Sequence, residues 1–355
     1  MSRESVTEEQ PVEYTDDEKA VLLDLLMALR STEIRPLLEL HELPKSGNKK
    51  ELRERVLTAI EHDSLTYSAI LRWIDRWAPW GKQHVFLYDG PEGSMCDNWD
   101  NADWVQGHLG RHGVSHLLEA PLLLALPEDL TLSAIEWTEG FLRVTAVERR
   151  DYWERNREDD EQRHKDTGEE VELRAFVHHV TRGLVIFEWD LNANIAALRI
   201  SQLPSGTKYE GVAQRFGALV HPWLSLARFA LIDINRTIRC LHQAEQRGHP
   251  EARSHAIDYS TVGGRRLSGK SPSARDSVLG EALIDEALAN MSNEGVGHLG
   301  NFYWLPRHIY SGHNNPLDNE VHVFLVASKH RIGFPTPNME ADVRHVLSRI
   351  RALSN

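Results

Sequence analysis

Val171-Glu-Leu-Arg-Ala-Phe-Val-His-His-Val180-Thr-Arg-Gly-Leu-Val-Ile-Phe-Glu-Trp-Asp190-Leu-Asn-Ala-Asn-Ile-Ala-Ala-Leu-Arg-Ile200-Ser-Gln202 decides the fold class of this chain. β-branched and aromatic residues dominate Val171 to Asp190 and return in Ile195 to Gln202. Such residues suit a pleated, half-buried surface, and Asn192-Ala193-Asn194 supplies turn letters between the two runs. Leu130 to Arg149 repeats the composition around a turn at Glu139-Gly140, and Thr181-Arg182-Gly183 reads as a further turn. An antiparallel meander is expected. Residues 150–170, nearly all charged, are expected as a solvated excursion from it. Arg149, Arg150, Tyr152, Trp153, Arg155 and Arg157 interleave cations with aromatics as base stacking would require. Glu154, Glu158, Asp159, Asp160 and Glu161 then repel phosphate, so a hairpin tip or a protein contact is the expectation there.

Outward from the meander, His84 to Tyr88 reads as a buried strand stopped by Asp89-Gly90-Pro91, and residues 99–119 as mainly helical. Helices are expected over Tyr209 to His221 and Leu224 to Gln246, and a strand over Ser254 to Val262. A Gly/Ser/Arg loop, a helix from Ala274 to Met291, strands at Asn301 to Leu305 and Glu320 to Ile332, and a closing helix from Met339 to Leu353 complete the chain. Strands, then helices, then a mixture point to an α+β domain with a mostly antiparallel sheet and packed helices.

The N-terminal part has a different grammar. Residues 1–14 read as a disordered acidic tail, and Thr15-Asp16-Asp17-Glu18 as a capping box opening a leucine-rich helix that runs to Arg30. Ile34, Leu37 and Leu38 share one helical face, and Leu52, Val56 and Ile60 another, so two short helices can pack together. Leu43-Pro44 ends the first, Gly47-Asn48 supplies the turn, and Lys45, Lys49 and Lys50 load that loop with positive charge beside Arg53. A basic loop at a helix start offers N–H groups and a positive dipole end to a phosphate backbone. A further helix over Thr66 to Ala78 carries Ile70, Trp73, Ile74 and Trp77, a stripe expected in the core, and Pro79 with Gly81 marks a boundary.

The run Leu43-Pro44-x-Ser46-Gly47-x-Lys49-x-x-Leu52-x-x-Arg55 resembles the core of a SAP module, a helix–loop–helix DNA-binding element of chromatin, repair and recombination proteins. Glu42 stands where that family usually has glycine. The resemblance, over about residues 32–60, implies that Lys45, Gly47, Lys49, Lys50 and Arg53 grip duplex DNA with little sequence preference. The expected division is a tail to 14, a SAP-like helical domain over 15–62, a helical connector over 63–82 and an α+β domain over 83–355.

Composition sets limits on these readings. The chain has 355 residues and a formal charge of −13, so DNA must be met by local basic patches set against an acidic body, with salt-sensitive affinity. No apolar run reaches bilayer length, and Cys96 and Cys240 have no CxxC partner, which together suit a reducing cytoplasm, at the nucleoid if the source is bacterial.

Gly264-Arg265-Arg266-Leu267-Ser268-Gly269-Lys270-Ser271 satisfies the P-loop letters, which need a strand before and a helix after to cradle phosphate. The other reading is a flexible basic loop in which Arg265, Arg266 and Lys270 contact nucleic acid, since no acidic residue lies between Asp258 and Asp276. His108, His112 and His116 recur at four-residue spacing, near Asp97, Asp100 and Asp103, but glycines interrupt any metal-binding helix. A metal nuclease needs two or three carboxylates plus a lysine; Glu188 with Asp190, or Asp318 and Glu320 with Lys329, could supply them, without diagnostic spacing.

No catalytic residue, cofactor or metal is assigned. The expected function is noncatalytic DNA binding, with the C-terminal domain serving a protein partner, self-association or further DNA contact. The alternatives are a DNA-processing enzyme tethered by the SAP-like part, as in repair or phage defence, and an assembly subunit working through protein contacts alone.

Overall fold

The computed structural model describes residues 13–92, 98–261 and 263–354; the tail expected over 1–14 falls largely outside them, as do Cys96 and Asp97. In chain order the elements are α1 (Asp16–Ala28), α2 (Ser31–Leu40), α3 (Lys49–Glu61), α4 (Tyr67–Trp77), β1 (Gln83–Asp89), α5 (Ala102–Arg111) and α6 (His116–Glu119). β2 (Thr131–Thr138), β3 (Phe141–Arg155), β4 (Glu161–His164), β5 (Glu170–Leu173), β6 (Phe176–Asp190), β7 (Ile195–Ser201), α7 (Tyr209–Val220) and β8 (Ala230–Leu231) follow. The remainder is α8 (Asn235–Gln246), β9 (Ala252–Ser260), β10 (Arg266–Lys270), α9 (Ala282–Glu294), β11 (Val296–Trp304), β12 (Val321–Val326), β13 (Arg331–Phe334) and α10 (Glu340–Ser354). The chain is α+β, with a large antiparallel sheet. Among the described residues no helix is long and apolar enough to cross a membrane.

The chain divides into two compact units, the first made of 1–78, 123–129 and 148–182, the second of 79–122, 130–147 and 183–355. In the first, α1 to α4 enclose Leu22, Leu26, Ile34, Leu37, Leu52, Val56, Ile70 and Ile74, with Ala125 joining them. The capping box at Thr15 forms as its letters require. Tyr14, read from sequence as tail, is buried in this cluster and meets the Tyr67 ring at 6.2 Å. The charged excursion is solvated over β4 and β5, which pair as a two-stranded hairpin, but its first residues continue β3 to Arg155, and Arg150 is buried beside Glu148.

In the second unit the sheet order is β10-β9-β11-β12-β13-β1-β7-β6-β3-β2, with β8 beside β1. β1 sits at its centre and is buried on both faces. Phe86 and Tyr88 enter one core with Leu198, Phe187 and Leu142, while Val85 and Leu87 enter a second with Ile332, Val323 and Phe302. Successive side chains of a strand point to opposite faces, so the two cores lie on opposite faces of the two halves of the sheet. Each half therefore has a polar face: the β7–β6–β3 half opposite the first core, and the β9–β11–β12 half opposite the second.

Several boundaries differ from the sequence reading. β6 runs unbroken through Thr181-Arg182-Gly183, where a turn was expected, because Arg182 is tied to Asp75 and Gly183 needs no left-handed backbone. Leu224 to Gln246 is not one helix: Phe229 and Ile232 are buried in different cores, Ile232 N–H donates to Leu87 O at 3.0 Å, and α8 starts only at Asn235. The helix expected from Ala274 begins at Ala282, since Ser273 and Ser277 accept from the N–H groups of Arg275 and Leu279, a local alternative to helix. Glu320 to Ile332 is two strands joined by a turn with His330 at φ +48°.

Candidate nucleic-acid interface

The turn between α2 and α3 is fixed at both ends. Glu42 takes the left-handed conformation (φ +57°), and Leu43 N–H closes on Leu38 O at 2.8 Å, satisfying an orphan carbonyl of α2. Thus the position at which the SAP pattern has glycine uses a glycine-type backbone here, with glutamate in it. Gly47 has φ +114°, and any Cβ there would meet the Glu51 carboxylate. That carboxylate accepts from Asn48 N–H at 3.1 Å while Asn48 Oδ1 accepts from Glu51 N–H at 3.1 Å, a reciprocal cap on α3.

Residues 44–50 are exposed on this frame. Lys45 Nζ pairs with Glu39 at 2.6 Å, Lys49 Nζ donates to Met27 O at 2.8 Å, and Arg53 pairs with Asp24 at 2.6 Å. Lys50 stands exposed in the first turn of α3. Exposed pairs such as Lys45–Glu39 are worth only ~0–1 kcal/mol, so an arriving phosphate can displace them. Arg55 folds back along the turn, donating to Pro44 O at 2.9 Å and lining with Leu43, Thr58 and His62 a groove of about 420 Å³.

The P-loop letters fold as something else. Arg266 to Lys270 is strand β10, antiparallel to β9, and no helix opens until Ala282, so the backbone cannot wrap a phosphate as that motif does. Gly264 is in the turn before the strand at φ +80°, and Gly269 is in the strand, where a Cβ would meet the side chains of Val278 and Leu288. Ser271 is buried, its hydroxyl donating to Ser273 O at 2.7 Å and receiving His255 Nδ1–H at 2.6 Å. Arg265, Arg266 and Lys270 are exposed; Arg266 pairs with Asp258 of β9.

The segment thus belongs to the polar face of the β9–β11–β12 half. Burial alternates strictly along β12, with Val321, Val323 and Leu325 buried and His322, Phe324 and Val326 half-buried. On this face the rings of Tyr303 and His322 stack at 4.4 Å, and the Arg253 guanidinium lies 5.1 Å from the Tyr303 ring. His322 Nε2 meets Asn301 Oδ1 at 2.6 Å, and Arg253 holds Glu320 with both arms, at 2.6 and 3.0 Å. Burial, with a smaller contribution from His255, lowers the His322 pKa, favouring a neutral imidazole. A bulge between Gly297 and Leu299 turns His298 onto Ser260 Oγ at 2.5 Å, in a cavity of about 360 Å³ shared with Gly264, Arg266 and Ser328. Sequence reasoning missed this face. The available signal was polar residues recurring two apart at Arg253 and His255, Asn301 and Tyr303, and Glu320 and His322.

The other candidates are dispersed. Glu188 is ringed by Arg199 (2.9 Å), Arg143 (2.8 Å) and Arg344 (3.3 Å) on the polar face of the other sheet half. Burial works to raise its pKa, and the charges of Arg199, Arg344 and Arg143 overcome it and hold the carboxyl below its ordinary range. A carboxylate so surrounded is a counter-ion to guanidinium rather than a ligand for a divalent ion. Asp318 pairs with Arg307 and Glu320 with Arg253, while Lys329 lies nearest Glu210, so the second carboxylate set is not assembled either. His108 is half-buried, stacks on Trp104 at 4.4 Å and donates from Nε2 to Trp223 O at 2.8 Å, with the His112 ring 4.9 Å away; His116 is apart, at the start of the next helix. No protein-family model and no curated protein matches the chain.

Proposed function

We propose that the protein binds nucleic acid noncatalytically, gripping duplex DNA through the α2–α3 pair with little sequence preference. The observation that carries this reading is the exposed turn from Lys45 to Lys50, closed by the reciprocal cap of Asn48 and Glu51, with Lys49 and Lys50 exposed in the first turn of α3. The resemblance of Leu43 to Arg55 to a SAP module supports it. Lysines that contact phosphate without reading bases give affinity that depends on salt and hardly on sequence. The test is binding of the full chain to duplexes of unrelated sequence at low salt, with magnesium and ATP in parallel samples. Equal affinities with intact DNA support the reading. Strand cleavage or ATP turnover would replace it with an enzyme.

A second reading, an assembly subunit, is favoured by one separate observation. The excursion leaves Trp153 66% and Phe176 51% exposed, with Leu173 and Val177 also exposed, an apolar display among carboxylates that suits a protein partner. Absence of DNA binding at low salt would favour it.

A further inference from the structure

The proposed function uses the helix pair and leaves the polar face of the β9–β11–β12 half without a role. That face combines stacked planar rings, Tyr303 on His322, with a guanidinium over the outer side of the tyrosine. Four residues along the same strands lies the cavity holding Ser260, His298, Arg266 and Ser328, with Leu299 and Val326 at its floor. At the strand rise that separation is about 13 Å. Lys270 and Arg265 flank the face from the edge strand and its turn. Asp258 and Glu320, the carboxylates beside these cations, are already paired with Arg266 and Arg253. Duplex DNA offers no exposed base faces to such rings; an unpaired strand does, and its phosphates suit hydroxyl, imidazole and guanidinium donors.

We propose that this face is a second nucleic-acid site, specific for a short single-stranded stretch. A phosphate seats against Arg266, Ser260, His298 and Ser328, and a base extends the Tyr303–His322 stack. The inference rests on the reading of the protein as a nucleic-acid binder, but not on the helix pair.

The experiment compares a thymidine oligonucleotide and a duplex in anisotropy titrations of the full chain, using Tyr303→Leu with His322→Gln in one variant and Lys49→Ala with Lys50→Ala in another. The first variant is expected to lose about tenfold in single-strand affinity, the scale of one stacked base, while keeping duplex affinity. The second is expected to do the reverse. Unchanged single-strand affinity in a folded Tyr303→Leu/His322→Gln protein overturns the site, as does absence of single-strand binding at low salt. Failure of the lysine variant to weaken duplex binding overturns only the helix-pair reading. Should the ring variant not fold, ultraviolet cross-linking of the unmodified protein to the oligonucleotide decides. Adducts on the peptide carrying Tyr303 or His322 support the site, and adducts confined to other peptides overturn it.

Discussion

Two regions of this molecule concentrate positive charge, and they treat it in opposite ways. Around Glu188, three guanidiniums converge on one buried carboxylate, and those of Arg199 and Arg344 lie 4.1 and 5.4 Å from the Trp80 ring. On the α2–α3 turn, lysines stand in water with weak partners or, for Lys50, project freely from the helix start. The first arrangement commits its charge to the fold. The second leaves it available to a ligand. Basic residues in sequence therefore say little until their counter-ions and burial are known.

The contrast has a direct thermodynamic consequence. Glu188→Gln removes the charge that Arg199, with its side chain only 2% exposed, depends on. Breaking a buried ion pair by removing one partner costs about 3–5 kcal/mol, so chemical denaturation should show a loss of that size. A change below ~1 kcal/mol would show that the cluster is better solvated than its geometry indicates.

Protonation probes burial from the other direction. Burial, aided by Arg331, pushes His84 down to about 3, and burial pushes His242 down to about 4 although Asp285 opposes it, against 6.5 for an ordinary histidine. Below pH 6.5 the unfolded chain takes up protons that the folded chain refuses, so these groups add stability above pH 6.5 that is lost progressively toward pH 3–4. The slope should be roughly 1 kcal/mol per pH unit for each, allowing for partial solvent contact. Denaturation midpoints between pH 7 and 5 check this, and His84→Asn should flatten the dependence.

A smaller stability effect lies on the exposed side. Glu42 holds a left-handed backbone, so Glu42→Gly should relieve strain and raise stability by about 1 kcal/mol, readable as a small increase in melting temperature. Destabilisation instead would mean that the carboxylate makes a contribution larger than the backbone strain it carries.

The α+β class was legible because its signals are local: runs rich in β-branched and aromatic residues, a turn at Asn192 to Asn194, and the capping letters at Thr15. The β1 strand was legible because both of its faces are apolar, so no choice of register had to be made. The start of α9 was not, since serine hydroxyls decide it by bonding to nearby backbone. The segment read as a flexible basic loop is instead a strand, because neither its composition nor the P-loop letters carry information on the strand partner that turns Arg266 to Lys270 into a hairpin edge. The Tyr303–His322 face was hidden for a related reason. Its residues come from segments far apart in sequence, joined only by the pairing of β9, β11 and β12.

The most direct test of the central claim is the salt dependence of duplex binding by the full chain and by the Lys49→Ala/Lys50→Ala variant. The account predicts that log affinity falls linearly with log salt for the unmodified protein. The variant should bind every duplex sequence more weakly to the same degree, with a slope shallower by about 1.8, the value for two lost phosphate contacts. Its stability should stay within about 0.5 kcal/mol of the parent, because the changed side chains are exposed. Equal affinity and an unchanged slope in the variant would contradict the account, and would remove the α2–α3 turn from any role in holding DNA.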